Sequence, residues 1–432
     1  MIHTKKKKVN IITLGCSKNL VDSEILSGQL RQGPYEVVHE DEKDSDIIII
    51  NTCGFIHDAK EESIHTILEY VRLRQEGNIE KLIVTGCLSE RYKQELPEEI
   101  PEVDAYFGNH HLKEILAYLK TDFKKELIGE RLLATPSHYA YLKISEGCDR
   151  HCSFCAIPRI RGNHVSVPIE QLVAEARRLA AKGVKELILI AQDLTFYGLD
   201  IYGKRKLAEL LRHLARVEGI EWIRLHYMYP AGFPEDVFDV IRDEPKICKY
   251  VDIPLQHIDE DILRSMKRGA GEKTTRRLLK KMKEKIPGIH IRTTFIVGYP
   301  GETEEKFQKL MDFVREMQFD RVGVFTYSHE EDTAAFRLKD DIPEYIKEER
   351  KKRLMELQKE ISEQKNKAKI GKRMRVLIDA RYGNEYIART EFDSPEVDNE
   401  VHIITDSILS PGKFIDIEIT GADAYTLWGK PV

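Results

Sequence analysis

Apolar residues in the first 120 positions fall into short, nearly continuous runs at 9–14, 35–38, 46–51, 81–85 and 105–107. Helical periodicity fills the gaps between them, most clearly at 59–74 and 112–119. Strands that are apolar on both faces and alternate with helices mark a parallel sheet covered on both sides. The pattern therefore predicts an α/β chain whose N-terminal domain, residues 6–122, is a small doubly wound parallel sheet. A polar, basic stretch at 121–137 reads as a linker.

A second alternating series follows. Strands are expected at 139–144, 186–191, 222–226, 250–253, 290–297 and 321–326, with helices at 169–182, 206–217, 274–286 and 304–317. Six strand–helix units predict a partial or full parallel (β/α) barrel, with its working residues at the carboxyl ends of the strands. Residues 343–370 are dense in Lys, Glu and Arg, with Ile346, Leu354, Leu357 and Ile361 as sparse apolar positions, and predict a long charged connector helix. This central domain spans 134–364. The character then changes. Short strands at 375–378, 386–389, 401–404, 414–419 and 426–428, separated by Gly, Pro, Asn and Asp, predict a small five-stranded antiparallel β-barrel over 367–432.

Charge and composition narrow the setting. Charged residues make up 33% of the chain, yet the net charge is only −5, so nothing pulls the whole molecule toward nucleic acid or an anionic membrane. No apolar run approaches the length of a membrane span. The basic run at 5–8 reads as a solvated tail entering the first strand, because Gly15-Cys16-Ser17-Lys18 interrupts the apolar stretch that a secretory leader requires. Seven cysteines, an odd number, in a long chain without an export signal point to a cytoplasmic protein. They favour metal binding or catalysis over disulfides.

The cysteines form two constellations. Gly147-Cys148-Asp149-Arg150-His151-Cys152-Ser153-Phe154-Cys155 places three thiolates at i, i+4 and i+7, on a loop after the first strand of the central domain. A structural zinc site needs four closed ligands, commonly two paired-cysteine knuckles, and no second knuckle is present. Three thiolates on a cubane iron–sulfur cluster leave one iron open. That iron can chelate the amino and carboxylate groups of S-adenosylmethionine. The second constellation is dispersed: Cys16, Cys53 and Cys87 each stand just past a predicted parallel strand. Such strand ends share one edge, where ligands bind in open α/β sheets. Gly15, Gly54 and Gly86 beside them allow close backbone approach. Cys248 has no partner pattern and reads as structural.

Other positions face the same predicted rims. Gln192 and Asp193 end the second strand of the central domain, Gln256 and His257 lie past the fourth, and Arg159 and Arg161 lie just beyond the cysteine loop. A histidine in such a place is more often a hydrogen-bonded structural residue than a catalyst, and for the two arginines support of substrate or cluster charge and a surface role fit equally well.

The Cys148-Cys152-Cys155 spacing, with the aromatic Phe154 before the third cysteine, resembles the defining motif of the radical S-adenosylmethionine superfamily. The stretch Thr294-Phe295-Ile296-Val297-Gly298-Tyr299-Pro300-Gly301-Glu302 is similar to that superfamily's adenosine-binding strand, with Ile296 and Gly298 in their expected places. Glu302 falls one residue late. Together with the dispersed triad and the terminal barrel, the whole chain resembles the methylthiotransferases. The resemblance implies a radical S-adenosylmethionine core, a TRAM-like terminal barrel, and two 4Fe–4S clusters, one on Cys148, Cys152 and Cys155 and one on Cys16, Cys53 and Cys87. It implies cofactor contacts at Phe154, Gly298 and Glu302, with no catalytic side chain beyond the clusters, while the strand-end place of Gln192 and Asp193 suits them to the ribose or the methionine carboxylate, Gln192 being taken as a fourth contact. It also implies an external electron donor and a sulfur donor.

The segment from Leu14 to Glu24, with Ser17-Lys18, and Ala156-Ile157-Pro158 after the cysteine loop look like the branch that modifies an aspartate β-carbon in a small-subunit ribosomal protein, protein twelve. From Gly371 to the end, seven Lys and Arg stand against eleven Asp and Glu, a net of −4. An acidic barrel suits a basic ribosomal protein, free or on the ribosome, better than a phosphate backbone. Two alternatives remain at this point: the same chemistry on a transfer-RNA adenosine, and a nucleic-acid-binding regulator that uses iron–sulfur clusters as redox sensors.

Overall fold

The structure, a computed structural model, describes residues 6–40, 45–124 and 129–432. Lys5 of the basic run and residues 125–128 of the expected linker lie outside them. The chain divides into two compact units. The first holds Met1–Thr135, Glu146–Arg150 and Cys155–Val165, and the second holds Pro136–Ser145, His151–Phe154 and Ser166–Val432.

In the first unit the unbroken run Ile47-Ile48-Ile49-Ile50 forms the middle of a five-stranded sheet. Its order is Tyr35–His39, Lys7–Thr13, Ile47–Thr52, Lys81–Gly86 and Ala105–Tyr106, and every pairing is parallel. Successive side chains leave opposite faces of a strand, so the continuous apolar run feeds two cores. Ile47 and Ile49 join Val9, Ile11, Ile83, Leu26 and Leu116 on one side. Ile48 and Ile50 join Leu82, Val84, Ile67 and Val71 on the other. Each fully buried side chain of this kind contributes about 1.5–3 kcal/mol. Apolar periodicity marks no helix after the first strand, yet Ser17–Leu30 is one. Its buried positions include Asn19, Ser23, Glu24 and Ser27, so its inward face is polar and carries little apolar periodicity.

The structure corrects two expectations. Lys7 and Lys8 are not a tail: they open the first strand, where Lys7 pairs with Glu80 and the Lys8 backbone N–H donates to Asp46 at 2.7 Å. The described part of the linker is also tied down. Arg131 meets the buried carboxylate of Glu24 at 3.0 Å, and the Ala134 N–H donates to the same carboxylate at 2.9 Å.

In the second unit six parallel strands lie in the order Arg321–Thr326, His290–Val297, Ile247–Asp252, Trp222–Leu225, Glu186–Ile190 and Tyr139–Lys143. The order follows the chain from one edge to the other, as a partial barrel does. The charged helix is Glu344–Lys367. It covers the Arg321–Thr326 edge, where Gln358 donates to the Phe319 carbonyl at 3.1 Å.

The terminal strands close a five-stranded barrel in the order Arg373–Tyr382, Glu385–Thr390, Glu400–Ile404, Thr426–Pro431 and Phe414–Ala422. The barrel is antiparallel except at one seam, where Glu400–Ile404 runs parallel to Thr426–Pro431. An odd number of strands cannot alternate direction all the way around a closed ring, so one parallel pair is forced.

Buried charges fasten this barrel to the central sheet. Arg389 reaches Asp379 at 2.6 Å and Glu186 at 2.8 Å, while Arg224 meets Glu186 at 2.7 Å and the Glu391 carbonyl at 2.7 Å. Asp393 accepts from Arg321 at 2.5 Å and from the Thr390 hydroxyl at 2.6 Å. Breaking such a pair strands a buried charge and costs about 3–5 kcal/mol.

Burial opposes ionisation of Asp393, but Arg321 and Lys369 outweigh it and hold the carboxyl at about 2. A depressed carboxyl stabilises the fold above its unfolded value, near 4, and that contribution is lost as pH falls toward 2. Asp393→Asn is therefore expected to cost about 3 kcal/mol at pH 7 and to flatten the stability profile between pH 4 and 2. Urea unfolding of the apo chain across that range checks it; parallel profiles for parent and variant would contradict the assignment.

Candidate active site

Three parallel strands deliver three cysteines to one edge of the first unit. Cys16 caps the Ser17–Leu30 helix two residues after Leu14, Cys53 directly follows Ile47–Thr52, and Cys87 opens the short helix Cys87–Arg91 directly after Lys81–Gly86. The register fixes this, because Thr13 pairs with Asn51 and Thr52 pairs with Gly86. Gly15 has φ +88°, and a Cβ there would lie 2.6 Å from Cys53 Cβ and 2.8 Å from Cys53 Sγ. Any larger residue would push the Cys53 turn away from Cys16.

Asn19, Arg161 and Ser63 are held by hydrogen bonds behind the cysteines. Asn19 Nδ2 donates to the carbonyls of Leu14 at 2.9 Å and Thr52 at 3.0 Å. Its Oδ1 accepts from Arg161 Nη2 and lies 3.6 Å from Cys87 Sγ. Arg161 Nη1 reaches Asp22 at 3.1 Å and Glu146 at 3.0 Å. The hydroxyl of Ser63 binds both the N–H and the carbonyl of Cys53. Burial pushes the Cys53 thiol up to about 12 and raises Cys87 against the pull of Arg161. Burial acts on Cys16 too, but Lys18 and Arg161 outweigh it and bring that thiol below its usual value.

Among the described residues, no three His, Cys, Asp or Glu side chains close around the volume of a single metal ion. A four-iron cluster holds its thiolates farther apart than one ion does. The donor set, three cysteines at a glycine-tightened sheet edge, fits such a cluster.

The CxxxCxxC loop divides between the units. In the first, the Cys148 N–H donates to the Gly162 carbonyl at 3.0 Å and the Arg150 N–H approaches Cys148 Sγ at 3.4 Å. Ala156 and Ile160, on the helix that follows Cys155, pack against Cys87. In the second unit Cys152 Sγ lies 3.2 Å from Arg268 Nη1 and 3.6 Å from the Tyr229 hydroxyl. Arg268 is buried, its charged group stacks 4.2 Å from the centre of the Tyr229 ring, and Nη2 donates to the Pro254 carbonyl. Burial opposes its charge, but Cys152 and Tyr229 favour it and keep the group protonated. Phe154 packs on Met266, Tyr299 and Tyr327, and Ser153 binds the Tyr299 hydroxyl at 2.9 Å.

The remaining candidates separate by what their polar atoms already do. Gln192 is half-buried just past Glu186–Ile190. Asp193 spends its carboxylate on the N–H and hydroxyl of Thr195, at 2.8 and 2.6 Å. Gln256 has φ +75°, and its buried Oε1 has no hydrogen-bond partner, so strain and an unused acceptor coincide beyond Ile247–Asp252. His257 is fully buried, with Nε2 3.4 Å from Glu302. Gly298 has φ +75°, and a Cβ there would strike the Lys347 stem at 2.3 Å. Glu302 is buried, accepts the Gly298 N–H at 3.1 Å and pairs with Arg350 at 3.0 Å, so it shapes the Gly298 turn. Arg159 is exposed, whereas Arg161 is buried. Cys248 packs among Trp222, Tyr250 and Leu377, as a structural residue should. Sequence reasoning missed Tyr229 and Arg268. Tyr229 follows the strand Trp222–Leu225, so a search of every strand end would have found it. Arg268 sits in a turn with no local signal.

Comparison with known proteins gives the chain's family and fold. The Radical SAM superfamily matches residues 142–314, the uncharacterized protein family UPF0004 matches 8–108, and the TRAM domain matches 370–432. Among solved structures, the radical S-adenosylmethionine methyltransferase TsrM of Kitasatospora setae aligns with TM-score 0.54 at 16% identity, covering 74% of this chain and 72% of that one. That likeness shows the fold. The chain is a radical S-adenosylmethionine enzyme with an iron–sulfur cluster. Proteins of Christiangramia forsetii and Flavobacterium johnsoniae are 58% and 57% identical over 99% of this chain and 95% and 98% of their own lengths. One from Bacteroides thetaiotaomicron is 52% identical over 99% of this chain and 98% of its own. All three are named ribosomal protein uS12 methylthiotransferase RimO. The chain belongs to the RimO family of methylthiotransferases.

A charged donor to a thiolate is worth about 1.5–3 kcal/mol. Arg268→Gln is therefore expected to slow anaerobic formation of 5′-deoxyadenosine from S-adenosylmethionine by about 10-fold or more, with Tyr229→Phe costing less. An Arg268→Gln variant as fast as its parent would remove the residue from the site.

Proposed function

We propose that this chain inserts a methylthio group at the β-carbon of an aspartate in ribosomal protein uS12, using two molecules of S-adenosylmethionine and two 4Fe–4S clusters. The observation that carries this reading is the second cysteine triad: Cys16, Cys53 and Cys87 share a sheet edge in a chain that already holds a complete CxxxCxxC loop. A radical generator alone needs one triad. When bound, the cluster on Cys148, Cys152 and Cys155 supplies the electron that splits S-adenosylmethionine, and the one on Cys16, Cys53 and Cys87 supplies the sulfur.

The chain's own residues hold and shield these groups. Arg268 places a positive charge at Cys152, where it offsets thiolate charge in a buried setting. Phe154, Gln192 and the Gly298 turn border the S-adenosylmethionine site, and Glu302 contributes by fixing that turn. The acidic barrel draws a basic ribosomal protein rather than an RNA backbone. An external electron donor and a sulfur donor complete the system, in the cytoplasm. No helix among the described residues is long and apolar enough to cross a membrane.

Iron analysis and mass spectrometry test the reading. The reconstituted parent should hold about eight irons, and about four should be lost in either Cys53→Ala or Cys152→Ala. After anaerobic reaction, uS12 should gain the mass of one methylthio group at an aspartate, while transfer RNA stays unmodified. A modified adenosine with unchanged uS12 would overturn the substrate assignment.

A further inference from the structure

The proposed mechanism leaves unused a buried cation that stands beside the strand-end cysteines. Arg161 is only 2% exposed. It ends the short helix Ile157–Arg161, which begins two residues after Cys155. Its two terminal nitrogens do different things. Nη1 takes both carboxylates, Asp22 at 3.1 Å and Glu146 at 3.0 Å. Nη2 instead points at Asn19 Oδ1, the same oxygen that lies 3.6 Å from Cys87 Sγ. An arginine that merely tied a helix to a sheet would need only the carboxylates. This one is turned, through an amide, toward the strand-end cysteines.

The surrounding packing fixes that direction. Ala156 and Ile160 press on Cys87, and Asn109 Nδ2 donates to the Ile160 carbonyl at 3.3 Å. The next residue, Gly162, offers its carbonyl to the Cys148 N–H. Asn19 cannot rotate away, because its Nδ2 is held by the carbonyls of Leu14 and Thr52. The guanidinium is therefore placed by three independent constraints: helix packing, the carboxylate pair and a locked amide.

We infer that Arg161 is a positioning residue for the cluster held by Cys16, Cys53 and Cys87, its positive charge compensating that cluster through the Asn19 side chain and setting its reduction potential. The inference rests on the proposed reading of that triad. A cluster bound by three thiolates gains an electron less readily as the negative charge around it grows. Asp22 and Glu146 determine how much of the cation's charge reaches the site. Removing the cation must lower the potential, and removing a competing carboxylate must raise it. A residue that serves only the fold has no reason to produce shifts of opposite sign.

The experiment uses the full-length chain with Cys148, Cys152 and Cys155 all replaced by Ala, reconstituted anaerobically, so that only the strand-end site can load. Iron and sulfide analysis comes first. About four irons per chain means that the triad reading stands; none means that this reading fails, and the inference falls with it. Redox titration followed by electron paramagnetic resonance is then compared across three variants in that background. Arg161→Gln should shift the midpoint to lower potential, or release the iron while Arg161→Lys keeps it. Arg161→Lys should stay close to the parent. Asp22→Asn, at a partly exposed carboxylate, should shift the midpoint upward. With four irons bound in the parent, unchanged midpoints in Arg161→Gln and Asp22→Asn would overturn the inference and leave the triad reading intact. If Arg161→Gln fails to fold, Asp22→Asn alone decides: an upward shift supports the inference, and no shift rejects it.

Discussion

A parallel strand has to return to the start of the sheet before it can run again, so every strand of such a sheet finishes on the same edge. In the first unit that rule brings Cys16, Cys53 and Cys87 together, although more than thirty residues separate each from the next. In the second it lines up Gln192, Tyr229, Gln256 and Gly298 past consecutive strands of one sheet. The isoleucine run at 47–50 and its two flanking cores are therefore the foundation of the chemistry. A slip in that register would carry each strand end out of place.

Buried arginine recurs wherever this chain must stabilise negative charge away from water. Arg224 and Arg389 clamp Glu186, Arg321 clamps Asp393, Arg268 faces Cys152, and Arg161 stands behind the strand-end triad. The first three hold the terminal barrel on the central sheet. The last two stand beside cysteine thiols, which carry negative charge once they lose their protons. One physical device, a guanidinium whose fork can serve two acceptors at once, thus serves both structure and chemistry.

The sheets were legible in the sequence because a strand covered on both faces must be apolar at every position, and runs such as Ile47–Ile50 satisfy that demand directly. The six cysteines were legible because their spacing and strand-end placement are local signals. What escaped was set by tertiary contact. The Ser17–Leu30 helix hides its period because Asn19, Ser23, Glu24 and Ser27 face inward. One residue of that polar face, Asn19, meets Cys87. Arg268 meets Cys152 across 116 residues, and no local pattern encodes such a meeting. Arg161 was visible but ambiguous, since nothing in Ile157-Pro158-Arg159-Ile160-Arg161 says which arginine turns inward. The parallel seam of the barrel follows from strand number and closure, not from any residue.

On the proposed function the two triads divide the labour between making the radical and supplying the sulfur, and Cys53→Ala tests that division most directly. With uS12, reductant and S-adenosylmethionine present, this variant should still release 5′-deoxyadenosine while uS12 gains no methylthio group by mass spectrometry. Methylthiolated uS12 from Cys53→Ala at the parent's level would contradict the division.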